Sequence, residues 1–370
     1  MEGARLRVGV LFGGRSGEHE VSLASARSVL AALDRSKYQV LPIGITTEGE
    51  WLLVEGPDQL SEGKGTKIGT LPGLSGRPLV SMDPDRETGC WLQETLEVAF
   101  PVLHGTYGED GTVQGLLELL GVPYVGAGVM ASAIGMDKVA MKAAFRQAGL
   151  RVVHYRVLMI KQWRENAATV LTTLEQTFSY PIFVKPSNLG SSVGVSKVTD
   201  RPGLGRAIEE AFRYGRKILV EQGLDCREIE CGILGNDQPE ASVIGEILPK
   251  RAWYDYRAKY EAGMSEVRIP ASLPTSLAKE IQTQAVKAYQ AVDCAGMARV
   301  DFFLDRTSAE PYVNEINTIP GFTATSVYPK LWEASGVSYP VLLDRLIQLA
   351  IERHGERHRL LTTYRGSEGR

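Results

Sequence analysis

Two stretches in the last third of the chain, Gly296–Leu304 and Pro311–Thr318, constrain its fold most. Each alternates its side chains as a β-strand does. The turn-prone residues 305–310 between them have about the length of a hairpin loop. Residues two apart in a strand share a face. Arg299 and Asp301 therefore look one way together, and so do Glu315 and Asn317. A closed hairpin brings an arginine, two carboxylates and an amide to one patch of sheet. Carboxylate and amide oxygens are ligands that Mg²⁺ takes, one or two at a time, with waters and phosphates. An arginine beside them can steady a developing negative charge. The same spacing equally suits a solvated antiparallel ribbon, so the choice falls to the rest of the chain.

The whole chain has 370 residues, enough for two or three domains. Its 44% hydrophobic and 23% charged residues are those of a soluble globular protein. A net charge of −3 argues against a general nucleic-acid binder. The cysteines, Cys90, Cys226, Cys231 and Cys294, form no C-x-x-C pair and have no histidine cluster, which argues against zinc and for a reducing cytosol. Met1–Val10 reads as a first strand, not a signal peptide. No apolar run is long enough to span a membrane.

Leu6–Phe12 is a buried strand entering Gly13–Gly14. A helix over 21–33 and a strand over 38–45 follow, an order that predicts a parallel sheet covered by helices. Residues 56–90, rich in Gly, Pro and Ser, read as a long surface excursion. Strands are predicted at 98–103, 123–125, 152–160, 180–185 and 217–221. Antiparallel sheet is predicted from 227 to 248. Helices are predicted at 112–120, 137–150, 167–178, 277–292 and 331–354, the second with Asp137 near its start and Gly149 at its end. Residues 250–266 read as irregular.

Several loops carry chemistry. Lys185–Gly194 leaves a strand with glycines that admit backbone N–H groups to phosphate oxygens, the hydroxyls of Ser191 and Ser192 as further donors, and the Lys185 ammonium. It is not a Walker A loop. Gly126–Ala131 matches G-x-G-x-x-A but lacks an acid some 20 residues on, and reads as a loop at a domain junction. Glu18 and His104 each follow a strand end, where open α/β sheets bind ligands. A carboxylate there suits an ammonium group. Tyr254, Tyr256, Lys259 and Tyr260 suit either a lid or a surface packing on a neighbour. Glu221 and Glu228 flank a strand edge where an adenine and its ribose could pair.

Taken together, Gly17–Ser22, His104–Gly111, Lys185–Gly194 and Asn314–Thr323 resemble, in order and in sequence, the D-alanine–D-alanine ligase family of ATP-grasp enzymes. The likeness runs from about residue 5 to about residue 350. It implies an N-terminal parallel α/β domain (1–126) and two α+β domains (127–221 and 222–360) that grip ATP. It implies a D-alanyl phosphate intermediate on the way to D-alanyl-D-alanine for peptidoglycan. By the same resemblance, Asp301, Glu315 and Asn317 hold two Mg²⁺ (or Mn²⁺) ions. Lys138, Lys185 and Lys259 meet ATP phosphates. Glu221, Leu224 and Glu228 meet adenine and ribose. Arg299 and the Gly321 N–H form the oxyanion site. Glu18 takes the ammonium of the first D-alanine with His104 nearby, and Ser326 the carboxylate of the second. Glu18, Ser191 and Tyr260 form a triad that closes the lid against water. The resemblance also implies a cytoplasmic enzyme, commonly a homodimer.

The resemblance implies more at Tyr260: relatives that make the D-alanyl–D-lactate ester tend to carry phenylalanine or histidine at this loop position, so a tyrosine implies an amine nucleophile over D-lactate and leaves D-serine open. Leu189 stands where the family often has an acid, and neutral residues are familiar there too. A regulatory module that has lost its chemistry should lack a metal ligand or Arg299, and this chain has them all. An oxidoreductase is disfavoured by the missing ribose acid.

Overall fold

The structure, a computed structural model, describes residues 5–70, 79–81, 96–190, 193–249 and 265–361. Three sheets organise them. The first contains β1 (Leu6–Gly13), β2 (Tyr38–Ile45), β3 (Trp51–Leu53), β4 (Thr66–Thr70), β5 (Leu79–Ser81) and β6 (Val98–Pro101), in the order β5-β4-β3-β2-β1-β6. Its centre is parallel, since β1 pairs with β2 and β6 in that sense. Beyond β2 it turns antiparallel. This corrects the reading of 56–90 as an excursion. A short helix α2 (Pro57–Ser61) and strands β4 and β5 extend the sheet, while residues 71–78 and 82–95 lie outside the described set.

Helix α1 (His19–Ala32) covers this sheet through Leu23, Ala26 and Val29. The turn from β1 into α1 is tight. Gly13 has φ +87°, and a Cβ there would sit 2.2 Å from the Ile45 carbonyl oxygen, so only glycine fits. Ser22 of α1 accepts from the Gly13 N–H and donates to the Val102 carbonyl, stitching two strand ends together. Helix α3 (Thr112–Leu120) closes the other side and stops at Gly121 in the left-handed conformation.

The second sheet contains β7 (Tyr155–Met159), β8 (Ile182–Pro186), β9 (Ser196–Val198) and β10 (Lys217–Gln222) in the antiparallel order β7-β10-β8-β9. Helices α6 (Ile160–Thr177) and α7 (Arg201–Phe212) pack on it around a core of its own that includes Leu174, Leu204, Ile208 and Ile218. The backbone of α6 breaks at Asn166, whose side chain accepts from the Thr169 N–H and starts the second segment. That segment matches the helix predicted from 167.

The third sheet is antiparallel, β13-β12-β11-β14-β15, from β11 (Cys226–Gly235), β12 (Glu240–Pro249), β13 (Ser265–Arg268), β14 (Gly296–Asp305) and β15 (Pro311–Asn317). Helix α8 (Thr275–Ala291) lays Ile281, Ala285, Ala288 and Tyr289 on it, a spacing of four, seven and eight residues that forms one helical face. Helices α4 (Val129–Met136) and α5 (Lys138–Gln147) share that core through Ala131, Met141 and Phe145. The G-x-G-x-x-A stretch is thus the entry to a helix. The single helix predicted over 331–354 is two, α9 (Val327–Ala334) and α10 (Tyr339–His358), parted at Gly336 with φ +89°.

Chain leaving the third sheet plugs the first. Met297, Ile319 and Phe322 join the core built on Val8, Val10, Phe12 and Phe100, together with Tyr328 and the Leu342, Leu346 and Ile347 face of α10. Phe322 is fully buried, with ring centres of Phe100, Tyr328 and Tyr339 5.8–5.9 Å away. Arg353 of α10 donates to the carbonyls of Gly126 and Tyr124, which fastens the same joint. Phe322→Ala should lower stability by about 3–5 kcal/mol, read as a lower midpoint for the first transition in chemical denaturation. An unchanged midpoint would remove Phe322 from the joint.

Candidate active site

The hairpin at the heart of the site is β14 and β15. On β14, Ala298, Val300, Phe302 and Leu304 face the core, while Arg299, Asp301 and Phe303 face the cleft. Strand β15 opposes it with Arg299 across from Asn317 and Asp301 across from Glu315. Strict alternation would put Glu315 on the face of Val313, which is core. A β-bulge prevents this: Phe302 pairs with Val313, leaving Asn314 extra. The one-residue slip turns Glu315 and Asn317 to the cleft.

Arg299 is gripped there. Its guanidinium donates twice to Asp301, at 2.7 and 2.8 Å, and its Nε lies 3.1 Å from Glu230 on β11. Burial opposes its charge, but Asp301 and Glu230 outweigh that and hold it firmly protonated. The Asn317 amide donates to Asp301 at 2.9 Å. Glu230 was missed in the sequence, although it stands two residues from Glu228 and so shares its face. The hairpin is therefore a paired, partly buried charge cluster, not a solvated ribbon.

Helix α5 supplies lysines. Asp137 caps it by accepting from the Val139 and Ala140 N–H groups. Lys138 then donates to the Leu189 carbonyl at 2.8 Å and lies 3.5 Å from Glu315. Lys185, at the end of β8, pairs with Glu221 of β10 at 2.5 Å, and its Nζ is 5.6 Å from the Phe303 ring centre. The Glu221 carboxylate also meets Lys142, which was not singled out from the sequence, at 2.9 Å. Burial pushes the Glu221 carboxyl up, yet the two lysines more than offset this and bring it down to about 2. Burial pulls the Lys142 ammonium down, whereas Lys185 is raised because Glu221 outweighs its burial. Leu224 lines a cavity of about 550 Å³ with Tyr155, Gln222 and Tyr312.

The N-terminal sheet provides the other wall. Glu18 stands at the start of α1, its carboxylate so close to the 104–105 turn that a Cβ on Gly105 would come within 2.7 Å of it, and one on Gly190 within 3.3 Å. His104 bridges to the Ile319 carbonyl through Nδ1 at 3.1 Å and to Ser25 through Nε2 at 3.0 Å. Burial holds its pKa below the usual imidazole value. Gly321 and Ser326 are adjacent, since a Cβ on Gly321 would lie 3.2 Å from Ser326 Oγ. Ser326 Oγ accepts from the Thr323 N–H. Ser191, Ser192, Lys259 and Tyr260 lie outside the described residues, and with them the contacts expected of the lid.

Asp301 and Glu315 face each other in register with an amide beside them, the hard oxygen donors that Mg²⁺ or Mn²⁺ prefers. Among the described residues no three His, Cys, Asp or Glu side chains converge as a protein-only cage. The fit therefore rests on this carboxylate pair and amide, with phosphate and water as the remaining ligands.

Two family models match the chain, D-ala D-ala ligase N-terminus over residues 7–127 and D-ala D-ala ligase C-terminus over residues 144–348. The chain belongs to the D-alanine–D-alanine ligase family. It is 47% identical over 368 residues to D-alanine–D-alanine ligase from Acetivibrio thermocellus, covering 96% of this chain and 98% of that protein. It is 50% identical over 360 residues to the same-named protein of Thermoanaerobacter pseudethanolicus, covering 95% and 98%. Among solved structures, the D-alanine–D-alanine ligase of Coxiella burnetii superposes with a TM-score of 0.84 at 39% identity, covering 96% of both chains. The VanG D-Ala:D-Ser ligase of Enterococcus faecalis gives 0.83 at 34% identity, covering 94% of this chain and 100% of that one. One mixed and two antiparallel sheets in this arrangement are the ATP-grasp fold of the family.

Glu109, absent from the sequence-predicted set, sits behind Glu18. It accepts from the Gly105 N–H at 2.7 Å and from the Ile319 N–H. Burial first, and then the Glu18 charge, push its carboxyl up to about 8 from the usual 4.5. The folded form therefore holds a proton that the unfolded chain releases above pH 4.5. This stabilisation is complete below that pH and lost as pH rises through 8. Glu109→Gln should abolish this part of the pH dependence. The melting-temperature difference, wild type minus variant, should shrink from pH 5 to pH 8.5, and a constant difference would refute the raised pKa.

Proposed function

We infer that this chain joins two D-alanines into D-alanyl-D-alanine, converting ATP to ADP and phosphate, for peptidoglycan synthesis. The observation that carries the reading is Arg299, clamped by Asp301 and Glu230 in register with Glu315 and Asn317, on a hairpin whose outgoing chain brings Gly321 and Ser326 together. The carboxylate of the first D-alanine attacks the γ-phosphorus, and ADP leaves. The neutral amine of the second attacks the acyl carbon of the D-alanyl phosphate, and the tetrahedral adduct expels phosphate.

Placement and motif together support these residue roles. Glu18 is a carboxylate between the 104–105 turn and Gly190, suited to the ammonium of the first D-alanine. Lys138 and Lys185 approach the cleft from α5 and β8 and suit the phosphates, and Lys259 belongs with them by motif. Glu228 faces the cleft beside Phe303 and suits the ribose, while the backbone about Glu221 and Leu224 suits adenine. Arg299 and the Gly321 N–H suit the developing oxyanion, and Ser326 the carboxylate of the second D-alanine. Ser191, Ser192 and Tyr260 complete the phosphate loop and lid by motif. Asp301, Glu315 and Asn317 would hold two Mg²⁺ or Mn²⁺ ions, which supply charge neutralisation at the phosphates when bound.

The boundaries 1–126, 127–221 and 222–360, a homodimer and a cytoplasmic setting belong to the same reading. Among the described residues no helix is long and apolar enough to cross a membrane. The test is phosphate release from ATP–Mg²⁺ with D-alanine, with L-alanine, or with D-alanine plus D-lactate or D-serine, and the product weighed. Release with D-alanine and a D-Ala–D-Ala product is expected. No release with any D-amino acid would overturn the reading.

A further inference from the structure

Among the described residues, one buried cation beside the cleft is used by none of these roles. Lys142 lies on α5, one turn beyond Lys138, and is 1% exposed. Its Nζ is 2.9 Å from one Glu221 oxygen, while the other Glu221 oxygen is 2.5 Å from Lys185 Nζ. Glu221 is itself 2% exposed. The three groups come from three elements, α5, β10 and β8, and the Tyr155 ring centre stands 5.9 Å from Lys142 Nζ.

The charge count matters more than either pair alone. Facing Lys185 by itself, a buried Glu221 makes a neutral couple with little pull on a phosphate. With a second ammonium on its other oxygen, the cluster keeps one net positive charge. Lys142 is closed off by the core, so that charge is expressed at Lys185, the member at the cleft. Low dielectric makes the difference large. At an effective dielectric constant of about 20, one unit charge several ångströms from a phosphate changes binding by about ten- to a hundredfold.

We propose that Lys142 is a positioning residue of the nucleotide site: it neutralises Glu221 from within the core, so that Lys185 is held in place by Glu221 yet keeps its charge for the ATP phosphates. The inference rests on the phosphate role given to Lys185 above. A purely structural lysine, gluing α5 to β10, predicts something different. Its loss would not be repaired by also removing the Glu221 charge.

The test compares wild type, Lys142→Met, Glu221→Gln and the double variant Lys142→Met/Glu221→Gln. Dissociation constants for ATP–Mg²⁺ are read by calorimetry, KM and kcat by D-alanine-dependent phosphate release, and folding by circular dichroism. Lys142→Met should weaken ATP binding and raise its KM at least about tenfold, with kcat at saturating ATP within about threefold of wild type. The double variant, which regains the net positive charge, should recover most of the lost affinity. Wild-type affinity in folded Lys142→Met, or a double variant no better than the single, would overturn the proposal. If Lys142→Met does not fold, Lys142→Gln decides: ATP affinity at least about tenfold weaker supports the charge balance, and wild-type affinity overturns it. A wild type that does not bind ATP overturns the functional reading and this inference together. Wild-type binding with an unaffected Lys142→Met overturns this inference alone.

Discussion

A half-buried guanidinium organises this protein. Arg299 carries its charge on the partly buried cleft face of a packed sheet, where flanking carboxylates offset the loss of water. Asp301 takes it bidentately and Glu230 completes the grip. Removing one partner from such a cluster strands the other charge, at a cost of about 3–5 kcal/mol. The sheet is therefore committed to keeping β11, β14 and β15 in one register. That same register delivers Glu315 and Asn317 to the cleft. Fold and chemistry here share one set of ion pairs.

Around this centre the molecule places charge by means of short, stiff devices. The bulge at Asn314 turns Glu315 outward without taking Val313 and Ile316 out of the core. Helix α5 brings Lys138 to Glu315 and Lys142 to Glu221, one turn apart on one face. His104, buried, ties the end of the first sheet to the Ile319 carbonyl, so the wall that carries Glu18 is joined to the chain that carries Gly321. The second sheet keeps a core of its own, and it touches the cleft through the ends of β8 and β10.

Much of this was legible in the sequence, for identifiable reasons. The hairpin announced itself because both strands are half-buried and alternate strictly up to the bulge. Val313 and Ile316, three apart and both apolar, mark where the period of two breaks. Glu230 could have been found by carrying the alternation on from Glu228. Lys142 was hidden because a lysine at i+4 from another reads as a solvated face, and only the packing of α5 on a sheet reverses that. Helix α7 was masked by Pro202, Gly203 and Gly205, although Leu204, Ala207, Ile208 and Ala211 keep helical spacing. Strands β3, β4 and β5 are short and near the edge of the sheet, where one side of the ladder does not select strong alternation. Helix α4 is apolar on most sides and has no stripe to detect. Glu109 looked like part of a glycine-rich turn, and its role depends on Gly105 and Ile319 converging from distant parts of the chain.

We propose that the Asp301–Glu315 pair is the divalent-metal edge of the nucleotide site. The most direct measurement is Mn²⁺ binding followed by electron paramagnetic resonance, with and without ADP, for wild type and for Glu315→Gln. Nucleotide-dependent Mn²⁺ binding is expected in the wild type. In the variant that binding should weaken at least about tenfold, with circular dichroism unchanged. Equal nucleotide-dependent binding by the two proteins would contradict it.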